Sequence, residues 1–179
     1  MIVHRPLLRL SIIAMLLAVA IVLSYLESFI PIWIPGVKLG LANVIILIML
    51  YEFKFYEAGI VDILRILVVA LIRGTFMSPT FFMSLSGGIL SYFVMLLFSR
   101  IKVFSIIGVS VLGSISHGVG QIAVAIIIMG TQAVAYYLPF ILLLSLGTGI
   151  LSGFIAKSYL KRSITKRYLS EENGQILDE

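Results

Sequence analysis

The chain has 179 residues, of which 61% are hydrophobic and only 12% are charged, and its mean hydropathy is +1.17. Soluble domains are about half apolar and about a quarter charged, so this composition predicts a polytopic membrane protein without a soluble catalytic or nucleotide-binding domain. The absence of cysteine excludes disulfides and thiolate chemistry.

Six apolar segments are predicted to span the membrane, since one span takes about 20 mostly apolar residues. Arg5 and Arg9 precede the first segment as in a signal peptide, but the later segments favour a retained helix. The predicted fold is an all-α integral membrane protein, a six-transmembrane-helix bundle over residues 1–158 with a cytoplasmic tail at 159–179. The predicted spans lie at about 8–25, 39–53, 58–73, 81–98, 104–129 and 134–156.

The distribution of basic residues predicts that both the N- and C-termini are cytoplasmic. With this orientation, all basic residues except Lys38, Arg65 and Arg73 fall on the inner side, as the positive-inside rule requires. The three exceptions lie where that rule disfavours cations, which suggests another role for them. The inner residues are Arg5, Arg9, Lys54, Arg100, Lys102, Lys157, Lys161, Arg162, Lys166 and Arg167.

The segment from Pro35 to Asn43 combines glycines, a cation and an amide where the second apolar segment begins. A charge near bilayer depth is costly and usually faces a partner or a watery cavity. One interpretation is that this segment lines a pocket for an anionic, partly apolar solute. The alternative is that Lys38 extends to the lipid headgroups while Gly36 and Gly40 serve helix packing.

The third segment carries a polar stripe on one helical face, formed by Asp62, Arg65, Val69 and Arg73. Asp62 and Arg65 are one turn apart, and we predict a structural ion pair between them. Arg73 lies at the outer end of the segment and has no acidic neighbour in sequence. Together with Lys38 it is a candidate cation for binding an anionic solute.

The fifth segment carries a second polar face, in which Ser110, Ser114, His117 and Gln121 follow helical spacing. The serines are predicted to make interhelical hydrogen bonds. For His117 and Gln121 two interpretations are equally supported by the sequence. They form a polar clamp between helices, or they contact a ligand inside the membrane.

Small residues at helical spacing mark two possible packing faces. Ala14 and Ala18 in the first segment could dock a partner membrane subunit or a neighbouring helix of the same chain. Gly149 and Gly153 in the sixth segment are predicted to pack within the chain.

Several kinds of chemistry are not supported by the sequence. It contains no Gly-x-x-x-x-Gly-Lys-Ser/Thr loop, so we expect no ATP hydrolysis by this chain alone. Asp62 and Asp178 are the only aspartates, so no paired aspartates are available to hold magnesium and diphosphate. His4 and His117 are far apart and lack a carboxylate at ligand spacing, which argues against a metal site. We therefore expect no cofactor, no metal and no nucleic-acid partner.

Four motifs resemble the bacterial Gx transporter family, many of whose members are labelled heptaprenyl diphosphate synthase component I. The resemblance extends over roughly residues 8–159. It rests on the segment from Pro35 to Asn43, on Gly74-Thr75-Phe76-Met77-Ser78-Pro79, on Ser86-Gly87-Gly88 and on His117-x-x-x-Gln121.

That family is in turn similar to the substrate-binding S components of energy-coupling factor (ECF) transporters. The resemblance implies six helices, both termini inside, and a site for a vitamin or related solute in the outer half. It also implies that small residues of the first helix, here Ala14 and Ala18, dock a transmembrane coupling subunit. The synthase label implies a role in making a long-chain isoprenoid, although the residues for such catalysis are lacking.

We therefore expect a non-enzymatic substrate-capture subunit in the bacterial plasma membrane, working with a transmembrane coupling subunit and two cytoplasmic ATPases. Lys38 and Arg73 are expected to bind a phosphate or carboxylate of the small-molecule solute. The segment from Glu27 to Val37 is the expected lid, in which Trp33 offers an apolar plate. Hydrogen bonds to the solute are expected from Asn43, His117 and Gln121.

Two rival functions remain open at this point. One is a membrane accessory subunit of heptaprenyl diphosphate synthase, which would hold a lipid product at the bilayer. The other is a stand-alone secondary transporter, which inverted repeats would mark; the sequence shows no convincing repeat.

Overall fold

The computed structural model describes residues 5–30, 38, 40–101 and 103–162. Within these ranges the chain is all-α and contains the predicted six α-helices, with one 3₁₀ helix, Gln132–Tyr137, before the last of them. The predicted tail beyond residue 162 and most of the predicted lid, including Trp33, lie outside the described residues. The helices are α1 (Arg5–Glu27), α2 (Asn43–Glu52), α3 (Phe55–Ile72), α4 (Pro79–Ser99), α5 (Ile106–Met129) and α6 (Leu138–Arg162).

Four helical stretches are long and apolar enough to cross a membrane, and they indicate a multi-pass membrane protein. They are Leu7–Glu27, Pro79–Ser99, Ile106–Met129 and Gln132–Arg162. The third helix, α3, has 18 residues but carries Glu57, Asp62 and Arg65. A helix with three charged side chains is less readily placed in lipid than an apolar one.

The second helix differs from the predicted span at 39–53. It begins only at Asn43 and has 10 residues, which is about 15 Å of helix, or about half the hydrocarbon thickness of a bilayer. Its residues from Asn43 to Met49 are all buried, and it packs against each of the other five α-helices. A helix that is apolar all round is suited to the centre of a bundle, and α2 is this central helix.

Turn chemistry in the sequence explains where several helices begin and end. Ser105 precedes α5, and its hydroxyl accepts the backbone N–H of Gly108 at 3.1 Å, as an N-cap does. Pro79 opens α4 at a position where a missing N–H costs nothing. Gly130 ends α5 with φ +63°, a conformation that glycine adopts without a steric penalty.

Glycines allow α5 and α6 to approach closely, as predicted for the sixth segment. A Cβ added to Gly149 would lie 2.8 Å from the Cα of Val111, and one added to Gly153 would lie 2.8 Å from the Cα of Ile107. Only glycine therefore fits at these two crossings without moving backbone. The sixth helix continues to Arg162, past the boundary at residue 158 expected for the membrane domain.

Candidate functional site

A buried arginine on α3 connects three helices through its guanidinium group, and Asn43 extends the network to a fourth. Arg65 donates from Nε to Asp62 Oδ1 at 2.8 Å, and its Nη2 lies 2.6 Å from the same oxygen. Its Nη1 donates to Ser24 Oγ of α1 at 2.9 Å, and its Nη2 donates to Asn43 Oδ1 of α2 at 2.8 Å. Asn43 continues the network by donating to Ser91 Oγ of α4 at 3.1 Å. All five side chains are buried, so each polar group needs the partner it has.

The described part of the connector between α1 and α2 is fixed to the end of α1 by a carboxylate. Glu27 is the last residue of α1 and is only 2% exposed. Its Oε1 accepts the backbone N–H groups of Gly40 and Leu41. Because a buried carboxylate is costly unless several donors satisfy it, this contact ties the chain that enters α2 to α1.

The same connector is also fixed to α5. The backbone N–H of Lys38 donates to Gln121 Oε1 at 2.9 Å. The amide nitrogen of Gln121 then lies 2.6 Å from His117 Nε2 and must be the donor, since the Gln121 oxygen is already the acceptor for Lys38. This network assigns the imidazole proton to Nδ1, an atom that has no hydrogen-bond partner among the described residues.

Gly40 lies where these groups meet. A Cβ at this position would be 2.9 Å from Asn43 Nδ2 and 3.4 Å from the His117 ring, and Gly40 has φ +82°. Both the crowding and the positive φ favour glycine. The Arg65 network, the Glu27 contact and the Gln121–His117 pair are therefore neighbours around one glycine.

Glycines also allow α4 and α5 to pack closely against each other beside His117 and Gln121. A Cβ on Gly87 of α4 would lie 2.9 Å from Gln121 Cγ and 3.1 Å from His117 Cε1. One on Gly120 of α5 would lie 2.9 Å from the carbonyl oxygen of Ser86. Close approach of α4 and α5 holds the amide and the imidazole in place.

The charges of the site balance among its closest members. The acids Glu27 and Asp62 are matched by the bases Lys38 and Arg65. Burial lowers the pKa of Lys38, which lies in the connector, to about 8, and the Glu27 carboxylate opposes that shift. A second anion in this region would need a further cation or hydrogen-bond donors to offset its desolvation.

The structure brings together four of the residues proposed for solute binding, Lys38, Asn43, His117 and Gln121. Arg73 does not join them: it is exposed at the end of α3, and its side chain makes no hydrogen bond or ion pair within the described ranges.

The predicted Asp62–Arg65 pair is present. On α5, the four residues of the predicted polar face are all buried, but the interhelical hydrogen bond predicted for Ser114 is absent among the described residues, because its Oγ has no partner there. Ala14 and Ala18 of α1 are exposed.

Sequence reasoning did not find Glu27, Ser24 and Ser91 as members of the site. The sequence places Glu27 in the predicted lid, whereas in the structure it ends α1 and lies inside the bundle. A signal was available, because Ser24 and Glu27 are one turn apart at the end of an otherwise apolar helix. Ser91 is one of several serines in its segment, and only the packing of α4 against α2 reveals its role.

The arrangement gathers amide, hydroxyl, imidazole and guanidinium groups in an apolar surround. Most of these groups are already hydrogen-bonded to one another. Among the residues that the structure describes, no three histidines or carboxylates lie close enough to share a metal ion.

Comparison with known proteins identifies a family. A family model described as heptaprenyl diphosphate synthase component I matches residues 16–159. No curated protein and no solved structure matches the chain. The matched range runs from the middle of α1 to near the end of α6 and includes every residue of the buried network. The chain therefore belongs to the heptaprenyl diphosphate synthase component I family.

Proposed function

We propose that this protein is the substrate-capture subunit of an ECF-type importer, rather than an enzyme. The observation that carries the proposal is the buried polar network around Gly40, to which α1, α2, α3, α4 and α5 each contribute a side chain. Ionisable and polar groups inside an apolar membrane bundle are expensive, and they commonly mark a solute site or path. A purely structural bundle of this size would be built more simply from apolar contacts.

The connector between α1 and α2 acts in this proposal as the lid of the site. It is held by bonds from side chains to backbone N–H groups, at Glu27 on one side and at Gln121 on the other. Such bonds open without unfolding any helix. A solute that enters replaces the lid at Gln121 and receives a hydrogen bond from the free Nδ1–H of His117.

The proposed solute is small, anionic and partly apolar, which includes vitamin-like acids, quinone precursors and isoprenoid-related phosphates. Lys38 supplies a cation at the lid, and the exposed Arg73 supplies the additional positive charge that the balanced site requires. Both residues lie at the end of the bundle where α1 ends and α2 begins. The apolar part of the solute contacts the bundle interior.

The proposed topology places that end outside the cell and both termini in the cytoplasm, with all six helices inserted in the bacterial plasma membrane. Arg9 near the start of α1 pairs with Glu57 near the start of α3 at 2.8 Å, so these two helices begin at the same end of the bundle. The positive-inside rule assigns that end to the cytoplasm.

The proposal is tested by native mass spectrometry of the protein after purification in a mild detergent. We expect a retained small anion, which the double variant Lys38→Ala with Arg73→Ala loses. The matched control is Lys157→Ala with Lys161→Ala, at exposed positions near the end of α6. Retention of the same molecule by the first double variant would refute the anion site.

The family description favours a second candidate, a membrane accessory subunit of heptaprenyl diphosphate synthase that holds a lipid product. Affinity purification from the native membrane separates the two functions. Recovery of ATPases with a transmembrane coupling subunit supports the importer, and recovery of a soluble prenyl-transferring enzyme supports the accessory subunit.

A further inference from the structure

A groove of about 450 Å³ lies between α3 and α4 and meets the buried network at Asp62. Its walls are almost entirely apolar and include Ile60 and Leu64 of α3 and Ile89 and Phe93 of α4. These four side chains are also exposed on the surface of the bundle. In a membrane protein an exposed apolar face of this kind contacts lipid, so the groove opens sideways to the bilayer.

A small residue contributes to the space of the groove. A Cβ added to the lining residue Gly59 would lie 3.2 Å from the Tyr92 ring. Tyr92 is held at one end of the groove because its hydroxyl donates to the carbonyl oxygen of Phe55 at 2.9 Å. The volume lies within the usual range for sites that bind small molecules.

Asp62 brings a carboxylate to this apolar groove. Asp62 is a lining residue, and its side chain is only 3% exposed. Its Oδ1 receives both contacts from Arg65, whereas Oδ2 accepts no hydrogen bond from any group in the part of the chain that is described. A carboxylate oxygen that borders an apolar groove without a hydrogen-bond donor is costly, so a ligand that brings a donor is favoured at this point.

We propose that the groove binds a long-chain alcohol from the bilayer, with its hydrocarbon chain along the apolar walls and its hydroxyl group donating to Asp62 Oδ2. A neutral donor fits because Arg65 already balances the Asp62 charge, and a cationic headgroup would leave a net positive charge in an apolar surround. This site does not depend on the proposed solute or on the importer. It uses Asp62 Oδ2, whereas Oδ1 of the same carboxylate supports the buried network.

The test is photolabelling of the full chain in phospholipid nanodiscs with 1-hexadecanol that carries a diazirine next to the hydroxyl group. We expect adducts on α3 and α4 residues of the groove, as mapped by peptide mass spectrometry. Unlabelled 1-hexadecanol should compete about tenfold better than hexadecane or hexadecylamine, which is the preference that one hydrogen bond to a charged acceptor gives.

Two variants block the groove without touching the buried network. Gly59→Val narrows it against Tyr92, and Ile60→Trp fills it from the lipid side; both should abolish the competed labelling. The matched control is Leu97→Trp, because Leu97 is exposed on α4 but does not line the groove. Adducts spread evenly over the lipid-facing surface would overturn the site. Equal competition by hexadecane or hexadecylamine would overturn the role of the hydroxyl and Asp62.

Discussion

Gln121 in α5 accepts the backbone N–H of Lys38 at 2.9 Å, although 83 residues separate the two in sequence. This one bond joins the connector before α2 to the helix that carries His117. It also sets the direction of the Gln121 amide, and through it the tautomer of His117. A contact between a side chain and a loop backbone thus links the proposed lid to the proposed ligand donor.

Replacement of Gln121 by leucine should loosen the connector while keeping the packing of α5. The Lys38 N–H would lose its acceptor, which costs about 1–3 kcal/mol for a group that stays buried. We expect faster hydrogen exchange of the peptide that contains residues 38–42 and unchanged exchange elsewhere in α5. Gln132→Leu is the control, since Gln132 is exposed. Unchanged exchange at the connector would contradict the role of Gln121.

The variant Gly40→Ala should destabilise the protein. Alanine at φ +82° carries a steric cost of about 1–2 kcal/mol, and its Cβ would also lie 2.9 Å from Asn43 Nδ2. Thermal unfolding in detergent should show a clear decrease in Tm. Gly147→Ala in α6 is the matched control, because a Cβ there meets nothing within 4 Å; it should leave Tm unchanged or raise it slightly. An equal response of both variants would argue against the crowding at Gly40.

Loss of Arg65 should be more damaging than loss of the whole ion pair. Arg65→Met leaves Asp62 buried without its cation, and breaking one side of a buried pair costs about 3–5 kcal/mol. The double variant Asp62→Leu with Arg65→Met removes both charges and should recover part of that loss. The measurement is again the unfolding midpoint in detergent. A double variant as unstable as the sum of the two single variants would show that the pair is not coupled.

Anion binding at the lid should weaken as pH rises through about 8. The pKa of Lys38 is lowered to about 8 by burial, with Glu27 raising it and Arg65 and Arg73 lowering it further. Lys38 therefore carries its charge below pH 8 and loses it above, and retention of the co-purified anion should fall by up to about tenfold per pH unit above that value. Native mass spectrometry across about pH 6.5–9.5, a range that brackets the lowered pKa of Lys38, measures this. Lys38→Arg should remove the pH dependence, because arginine stays protonated.

Enlarging the exposed small residues of α1 should affect partners and not the isolated chain. Ala14→Leu with Ala18→Leu adds bulk to positions that face outward, so we expect normal thermal stability but loss of the coupling subunit in co-purification. Gly149→Leu with Gly153→Leu is the contrasting pair, because it collides with the backbone of α5 and should destabilise the bundle itself. Normal recovery of the coupling subunit with the α1 variant would contradict docking at this face.

The sequence determined the apolar helices, because the period and length of apolar runs report directly on burial in lipid or protein. It also predicted the Asp62–Arg65 pair and the buried face of α5, since both depend on local helical spacing. It overestimated α2: apolar residues continue from Leu39, and nothing in their hydropathy distinguishes a short central helix from a membrane span.

Only the tertiary structure decided which polar residues meet. Glu27 and Gln121 bind backbone N–H groups of the connector. Almost every residue has such a group, so the sequence does not indicate which of them a side chain will bind. Ser24, Asn43 and Ser91 become one network because α2 lies at the centre of the bundle, where side chains of α1, α3 and α4 converge. Helical periodicity fixes the face on which a residue lies, whereas the packing of helices against each other fixes what that face contacts.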